Sequence, residues 1–121
     1  MRHTIKATNI EHTNAIDTYL LKRLAELNRI LEPKERSEIA RLEVGKTSLH
    51  HKEGKEVFFA EITFHVKKKD FRAVAKAGDL YVAIDTMRDM IIREVTRHHE
   101  VMRTKEKKGG REMKRRIAKA K

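Results

Sequence analysis

The sequence predicts an α+β fold, a two-layer sandwich in which two helices cover one face of a four-stranded sheet. Three consecutive segments alternate apolar and polar side chains, as antiparallel strands with one buried face do. Two other segments repeat apolar residues at intervals of three or four, which is the period of an amphipathic helix. The chain has 121 residues, which suits one domain with a single core. The economical arrangement packs both helices on the apolar face of the sheet.

The first two elements are a strand and a helix. Residues 2–8 alternate in polarity, as a strand does. Thr13 or Asn14 can cap the helix that follows, and Pro33 lies just past its end, where a proline would stop it. The inward residues of the strand and the apolar stripe of the helix are Ile5, Ala7, Ile16, Leu20, Leu24, Leu27 and Leu31.

The next three segments, residues 37–46, 56–66 and 70–77, are predicted to form an antiparallel meander. Residues 47–55 join the first two and contain Gly54, which indicates a hairpin turn or a longer loop. The residues that alternate onto the buried face are Ala40, Leu42, Val44, Phe58, Ala60, Ile62, Phe64, Val66, Phe71, Ala73 and Ala75.

A second helix is predicted from Leu80 to about Arg103, after a turn at Gly78. Asp79 can accept a backbone N–H as the N-cap of this helix. The complete order is therefore β-α-β-β-β-α, without an internal repeat. The apolar stripe of the second helix consists of Leu80, Ile84, Met87, Ile91 and Val95.

The positive charge is concentrated near the C-terminus. Lys and Arg number 29 against 18 acidic residues, a formal net charge of +11. Residues 105–121 hold nine basic and two acidic residues, a net of +7, which leaves +4 for residues 1–104. Because the Gly109–Gly110 pair breaks the helical pattern, we predict a folded domain over 1–104 and a flexible basic tail over 105–121. This charge indicates an anionic partner, with nucleic acid as the first candidate.

Several classes of function leave no signature in the sequence. Cysteine is absent, which removes disulfides, thiolate metal sites and cysteine nucleophiles, and suits the cytoplasm. There is neither an apolar run that could span a membrane nor the apolar stretch of a signal peptide. HExxH motifs, glycine-rich phosphate loops and nucleophile elbows are also missing. We therefore expect no enzyme activity, no cofactor, no small-molecule substrate and no membrane partner.

Two pairs of adjacent histidines raise the question of a metal site. His98 and His99 lie on the second helix, where neighbouring side chains diverge, and His50 and His51 lie in the polar loop. We expect no metal at either pair.

Three aromatic residues allow minor alternatives. Tyr19 or Tyr81 could act as an acid beside Asp85, although a tyrosine at a helix edge is usually a packing or hydrogen-bonded surface residue. Phe59 could stack a base on the outer face of the sheet, but packing at an edge is the more common role.

Basic residues flank the apolar stripes of both helices. Arg93 and Arg97 fall on one shoulder of the second helix, and Arg23 borders the stripe of the first. If the helices pack side by side, these shoulders form one basic surface that faces a polyanion. The alternative is an ordinary solvated face, since Glu26 and Glu94 dilute the charge. The basic candidates of the folded domain are Lys22, Arg23, Arg29, Arg88, Arg93 and Arg97.

Three segments resemble a known family in matching order: residues 7–30, residues 42–66, and the sequence AGDLYVAID at 77–85 followed by a basic amphipathic helix. The chain resembles the ribosome hibernation-promoting factors, which include the ribosome-associated inhibitor also called protein Y. The resemblance covers about residues 1–104. Its most specific positions are Asp79, Leu80, Tyr81, Ala83, Ile84 and Asp85.

The resemblance implies a β-α-β-β-β-α fold, reminiscent of double-stranded RNA-binding domains, with both helices on one sheet face. It implies binding to the small (30S) ribosomal subunit between head and body, over the tRNA and mRNA sites, so that an idle ribosome is held inactive. Glu26 and Met90 depart from the family, whose members can be basic there, so the patch is expected to be smaller than usual. The positions that match basic family residues expected to meet 16S ribosomal RNA are Arg23, Arg29, Arg93 and Arg97.

The chain resembles the short form of the family, because it ends too early to hold the C-terminal domain through which long members join two ribosomes. Short inhibitors of the protein Y kind end in an acidic tail, whereas this tail is basic. We hypothesise that the tail adds a flexible phosphate-binding arm. Its basic candidates are Lys107, Lys108, Arg111, Lys114, Arg115 and Arg116.

The function predicted from the sequence is inhibition of translation under stress or in stationary phase. The protein is expected to be a cytoplasmic monomer off the ribosome that binds the 30S subunit or the 70S ribosome by shape and charge. The alternative is a general structured-RNA-binding or ribosome-assembly protein with the same fold. A third possibility, an enzyme on this scaffold, would require a polar cleft with a strongly perturbed titratable group.

Overall fold

The computed structural model describes residues 1–48, 57–66 and 68–120, with the side chains of 119 and 120 left out. The predicted connection at 47–55, including His50, His51 and Gly54, lies outside the described residues from position 49 onward. The elements are β1 (Arg2–Thr8), α1 (Asn14–Arg23), α2 (Ala25–Ile30), α3 (Pro33–Arg36), β2 (Ile39–Lys46), β3 (Phe58–Val66), β4 (Lys69–Ala77) and α4 (Leu80–Ala120).

The four strands form one sheet in the order β1-β2-β3-β4. β2, β3 and β4 pair antiparallel, which confirms the predicted meander, while β1 pairs parallel to β2. A parallel neighbour requires a crossover connection, which α1, α2 and α3 supply. One row across the sheet joins Ile5, Leu42, Ile62 and Ala73 in register.

The core lies between the sheet and the helices. α4 packs on β3 and β4, and α1 and α2 pack beside α4. The apolar stripes and the inward strand positions predicted from the sequence supply this core, which confirms the two-layer α+β arrangement. Its largest fully buried side chains include Phe71, Leu20, Ile62, Ile84, Met87 and Ile91.

The first helical segment is divided where a single helix was predicted. Thr13 is its N-cap and accepts the Ile16 N–H at 3.3 Å, as expected. Leu24 then separates α1 from α2 while its side chain stays buried, so the apolar stripe is preserved across the break. Pro33 lies beyond the end of α2, as predicted, but it also begins the short helix α3, where a first-turn proline loses no hydrogen bond.

α4 is longer than predicted. It was expected to end near residue 103, but it continues through the Gly109–Gly110 pair to Ala120 over 41 residues. Each glycine costs a helix roughly 1 kcal/mol relative to alanine, yet glycine removes no backbone hydrogen bond and introduces no clash. The division into a domain over 1–104 and a flexible tail over 105–121 stays a prediction. None of the described helices is both long enough and apolar enough to cross a membrane.

Candidate nucleic-acid interface

Tyr19, Arg23 and Asp85 form a hydrogen-bonded cluster at the junction of α1 and α4. The Tyr19 hydroxyl and the Arg23 Nε–H both donate to Oδ1 of Asp85, each at 2.7 Å. The hydrogen bond to Asp85 raises the pKa of Tyr19 and that of Arg23. Partial burial favours the protonated form of Asp85, but the hydrogen bonds from Arg23 and Tyr19 outweigh it and lower the pKa of this carboxyl. The ionised carboxylate therefore holds both donors.

The segment that carries the family resemblance builds this junction. Asp79 caps α4 by accepting the N–H groups of Tyr81 at 2.7 Å and Val82 at 3.2 Å. The Tyr81 ring meets the Tyr19 ring edge-on, with centroids 4.7 Å apart. Leu80, Ala83 and Ile84 enter the core. These positions therefore form the cap, the core and the ion pair that dock α4 against α1.

Arg88 belongs to the same side of α4. It is half-buried, pairs with Glu26 of α2, and also donates to Asp89 at 2.8 Å. Glu26 thus supplies a carboxylate to an arginine that the sequence analysis placed on an open basic face. Arg23 and Arg88 are both held by carboxylates in this structure.

Arg93 and Arg97 lie elsewhere, on the side of α4 that faces β4. They line an open groove of about 590 Å³ together with Lys69, Met90 and His98. Both arginines are exposed, and within residues 1–48, 57–66 and 68–120 neither forms an ion pair. Glu94 and Val101 complete the lining. The cations of this groove are therefore available to a ligand.

Lys69 was missing from the sequence-based candidates. Its ammonium lies 5.6 Å from the centre of the Phe71 ring. Strand alternation contained the signal, because residues two apart in a strand share a face and Phe71 was assigned to the helix-covered face. Lys69 therefore reaches the groove from the sheet, while the arginines reach it from the helix.

The predicted single basic surface is divided into two groups by these contacts. Arg23 of α1 pairs with Asp85 of α4 and Arg88 of α4 pairs with Glu26 of α2, on the side of α4 that meets these two helices. Arg93 and Arg97 line the groove on the β4 side of α4. The two remaining domain candidates are exposed on α1 and α2 and form no ion pair among the described residues. They are Lys22 and Arg29.

The six tail candidates are exposed on the last turns of α4. The helix covers the tail as far as Ala120, so these side chains have a defined angular position relative to the domain. They are Lys107, Lys108, Arg111, Lys114, Arg115 and Arg116.

The two helical histidines have packing partners. His98 meets the Phe71 ring edge-on at 5.3 Å between centroids. His99 Nε2 lies 2.8 Å from Oε1 of Glu35, a carboxylate that is only 5% exposed. The described part of the chain contains no group of three or more residues suited to hold a metal ion.

Polar and charged side chains on the outer face of the sheet pair with one another. The Thr8 hydroxyl donates to Glu43 at 2.7 Å, and Arg72 donates to Glu61 at 2.9 Å. Phe59 is half-exposed on this face and lies opposite Lys76 in the strand register. The outer face is therefore more evenly charged than the groove on α4.

The fold and this geometry define a small α+β domain whose long C-terminal helix carries a cationic groove. The chain belongs to the family described as sigma 54 modulation protein / S30EA ribosomal protein, which matches residues 3–103. Residues beyond 103, including the exposed end of α4, lie outside that match.

Individual relatives agree with the family assignment. A ribosome hibernation promoting factor of Salmonella typhimurium is 25% identical over 103 residues, which cover 85% of this chain and 98% of the relative. The N-terminal domain of Thermus thermophilus protein Y superposes with a TM-score of 0.65 at 29% identity, covering 81% of this chain and 99% of that one. These matches confirm the resemblance inferred from the sequence.

A ribosomal subunit interface protein of Coxiella burnetii shares the fold, with a TM-score of 0.63 and 15% identity over 83% of this chain and 99% of that one.

Proposed function

We propose that this protein is a ribosome hibernation factor. It binds the small (30S) ribosomal subunit at the tRNA and mRNA sites and inhibits translation under stress or in stationary phase. Membership of a family of ribosomal proteins supports this proposal, as does the similarity to a hibernation promoting factor and to protein Y.

The main structural support for the proposal is the groove that Arg93 and Arg97 line. Two guanidinium groups and the Lys69 ammonium line one open concavity. Guanidinium groups suit phosphate oxygens because they can donate two parallel hydrogen bonds, and they remain charged at all physiological pH values. The groove is shallow and open, which suits an extended RNA backbone better than an enclosed small molecule.

The groove is rigidly supported, which suits it to the recognition of RNA by shape. Ile91 and Val95, which neighbour the two arginines on α4, are fully buried against the core. The backbone positions of Arg93 and Arg97 are therefore fixed relative to the sheet. Structured RNA is recognised mainly through the positions of its phosphates and sugars, so a fixed spacing of cations provides selectivity without base readout.

The other predicted contacts contribute unequally in this proposal. Lys22 and Arg29 are exposed and offer their charges to 16S ribosomal RNA. Arg23 and Arg88 are held by Asp85 and Glu26, so a phosphate has to share or displace a carboxylate before it gains either charge. The Arg93 and Arg97 groove is therefore the principal domain contact, and the remaining cations orient the protein.

Inhibition in this mechanism is steric and requires no chemistry. The bound domain occupies space that tRNA and mRNA need. The protein acts in the cytoplasm and is a monomer off the ribosome. The perturbed pKa values of Tyr19 and Asp85 have a structural cause, since these groups are hydrogen-bonded to each other at a helix junction.

Charge reversal in the groove tests the proposal. Arg93→Glu with Arg97→Glu should weaken binding to vacant 30S subunits by at least about 100-fold, because each change removes a phosphate contact and adds a repulsive charge. Binding is measured by co-sedimentation with 30S and 70S particles, with and without competing tRNA. Arg41→Glu with Lys76→Glu is the matched control, since both residues are exposed on the outer sheet face and the change in net charge is the same.

The proposal requires saturable binding of the wild type, competition by tRNA, and a loss of binding confined to the groove variant. Equal losses in both double variants would point to unspecific attraction. Binding to naked RNA as strong as binding to 30S particles would favour a general RNA-binding or assembly protein.

A further inference from the structure

The last part of α4 extends away from the folded domain. Every described side chain from Val101 to Ala118 is exposed, whereas Ile91 and Val95 further upstream are fully buried. The family match ends at residue 103. We call residues 104–118 the arm. It is a projecting helix that the matched domain does not include.

The cations of the arm continue the face of α4 that carries Arg93 and Arg97. Each residue of an α-helix advances by about 100°, so positions three, four, seven or eleven apart lie on one side. The cations within about one third of the helix circumference form what we call the basic ridge. They are Arg93, Arg97, Lys107, Lys108, Arg111, Lys114 and Arg115.

Other residue types lie mainly on the rest of the circumference. Glu106 and Glu112 fall outside the third that holds the ridge, as does Arg116. Glu100 falls within it, between the domain cations and the arm cations. The ridge is therefore strongly positive along the arm, with one acidic residue near the point where the arm leaves the domain.

The helix is continuous along the whole ridge. α4 passes through Gly109 and Gly110 without interruption. From Arg93 to Arg115 the ridge spans about 33 Å at 1.5 Å per residue. Within the arm, from Lys107 to Arg115, the ridge presents cations on every turn, and successive turns are about 5.4 Å apart. Ten residues, or about 15 Å, separate Arg97 from the first ridge cation of the arm.

We propose that the arm is a second RNA-contacting element that acts as a rigid extension of α4. Its cations bind a phosphate backbone in fixed rotational register with Arg93 and Arg97. This inference rests on the proposed function for the identity of the RNA, and it replaces a flexible tether with a rod. The RNA affinity of a flexible tether would not change when its point of attachment is rotated, whereas the affinity of a rigid rod would change.

An anionic membrane surface is the competing partner for a basic helix. Helices that lie on membranes bury a broad apolar face. Met102, Met113 and Ile117 are exposed opposite the ridge, but Gly109 and Arg116 interrupt that side. The ridge therefore fits the phosphates of RNA better than a lipid surface.

Insertions that rotate the arm test the inference. Two alanines between Glu106 and Lys107 turn the arm by about 200° without changing its charge, and seven alanines there return it to within about 20° of its original phase. Deletion of residues 105–121 defines the total contribution of the arm. Dissociation constants are measured on vacant 30S subunits and on a short double-stranded RNA, over a range of salt concentrations. Circular dichroism establishes that each variant is helical.

The inference expects the deletion to weaken binding by at least about tenfold and to reduce the salt slope by about 0.7 to 0.9 per lost phosphate contact. The two-residue insertion should weaken binding to a similar extent, and the seven-residue insertion should restore wild-type affinity within about threefold.

Each of the other results overturns the inference. Wild-type affinity in both insertions would make the arm a flexible tether, and loss in both would remove the role of rotational phase. Unchanged affinity after deletion would remove the arm from binding altogether. Binding of phosphatidylserine vesicles that the deletion abolishes, with RNA affinity unchanged, would identify a membrane contact.

The RNA duplex separates this inference from the proposed function. Phase-dependent binding to the duplex without saturable 30S binding would refute only the ribosomal role. Saturable 30S binding that requires Arg93 and Arg97 but does not depend on the rotation of the arm would refute only the proposed role of the basic ridge.

Discussion

Arg23 donates its Nε–H to Oδ1 of Asp85 at 2.7 Å, across the junction between α1 and α4. Both side chains are about one third exposed, so the pair contributes little to stability by charge attraction alone. Tyr19 shares the same carboxylate oxygen and thereby connects the two helices through one acceptor. The cluster orients an arginine that the sequence placed on an RNA-facing surface, and it partly neutralises the charge of that arginine.

Asp85→Asn should make stability less dependent on pH in acid. The pKa of Asp85 in the folded protein lies below its ordinary value of 3.8. Its contribution is therefore fully present above that value and is lost as the pH falls through it toward the lowered folded pKa. The variant should have a lower Tm than the wild type at neutral pH, and the two Tm values should converge at low pH. A difference in Tm that is constant from neutral pH into acid would contradict this linkage.

Arg23→Gln should weaken 30S binding less than Arg93→Gln. Asp85 already compensates the charge of Arg23, whereas Arg93 has no ion pair among the described residues. Loss of a phosphate contact reduces the slope of log K against log salt by roughly 0.7 to 0.9. That reduction is expected for Arg93→Gln and should be nearly absent for Arg23→Gln. Equal reductions would show that RNA displaces Asp85 from Arg23.

Glu35→Ala should destabilise the protein by about 1–3 kcal/mol, because buried polar groups lose their partner. The Glu35 carboxylate accepts the Glu32 N–H at 2.7 Å and lies 2.8 Å from Nε2 of His99, which ties α3 to α4. The free energy of unfolding is measured by urea denaturation. Lys34→Ala is the control on the same short helix, where the side chain is exposed, and it should stay within about 0.5 kcal/mol of the wild type. A neutral Glu35→Ala would mean that α3 is not held by this contact.

Gly45→Ala should weaken the parallel pairing of β1 with β2. Gly45 lies opposite Thr8 in the register, and a Cβ at this position would collide with the Thr8 carbonyl group. The strands have to separate locally, at a cost of about 1–3 kcal/mol. Thr4→Ala, exposed on β1, serves as the comparison. Hydrogen exchange at β1 should accelerate in Gly45→Ala alone. Unchanged exchange there would show that the sheet absorbs the methyl group without loss.

Periodicity was sufficient to identify the core. Ile91 and Val95 recur on one face of a helix, and both are fully buried. The alternation in β3 and β4 likewise assigned Ile62 and Phe71 to the covered face of the sheet. Such patterns predict burial because each depends only on the geometry of one element.

Contacts between elements were harder to predict from the sequence. The sequence suggests Asp85 as a partner of Tyr19 or Tyr81, but the role of Arg23 as the second donor depends on how α1 is rotated and shifted against α4. That relationship is set by the packing of both helices on the sheet and by no local pattern. The break at Leu24 is also set by packing and not by local pattern, because the residues on either side of Leu24 favour a continuous helix.

Charge patterning overestimated the open basic surface. Arg88 carries a positive charge in any sequence count, yet Glu26 lies within reach once α2 and α4 pack together. Lys69 was missed because the groove that it lines lies between a strand and a helix, so a pattern within either element alone does not reveal it. Net charge predicts the kind of partner, whereas available charge depends on which carboxylates are neighbours.

Gly109→Ala with Gly110→Ala should strengthen the arm as a helix and raise its affinity for RNA. A Cβ at either position meets no atom within 4 Å, so the substitution introduces no clash. Each change favours the helix by about 1 kcal/mol, because alanine loses less backbone entropy than glycine. Helical circular dichroism should increase while the Tm of the domain stays constant. Gly109→Pro is the opposing variant, since proline interrupts a helix interior, and it should uncouple the arm cations from Arg93 and Arg97. Equal RNA affinity in the alanine and proline variants would show that the arm binds without a continuous helix.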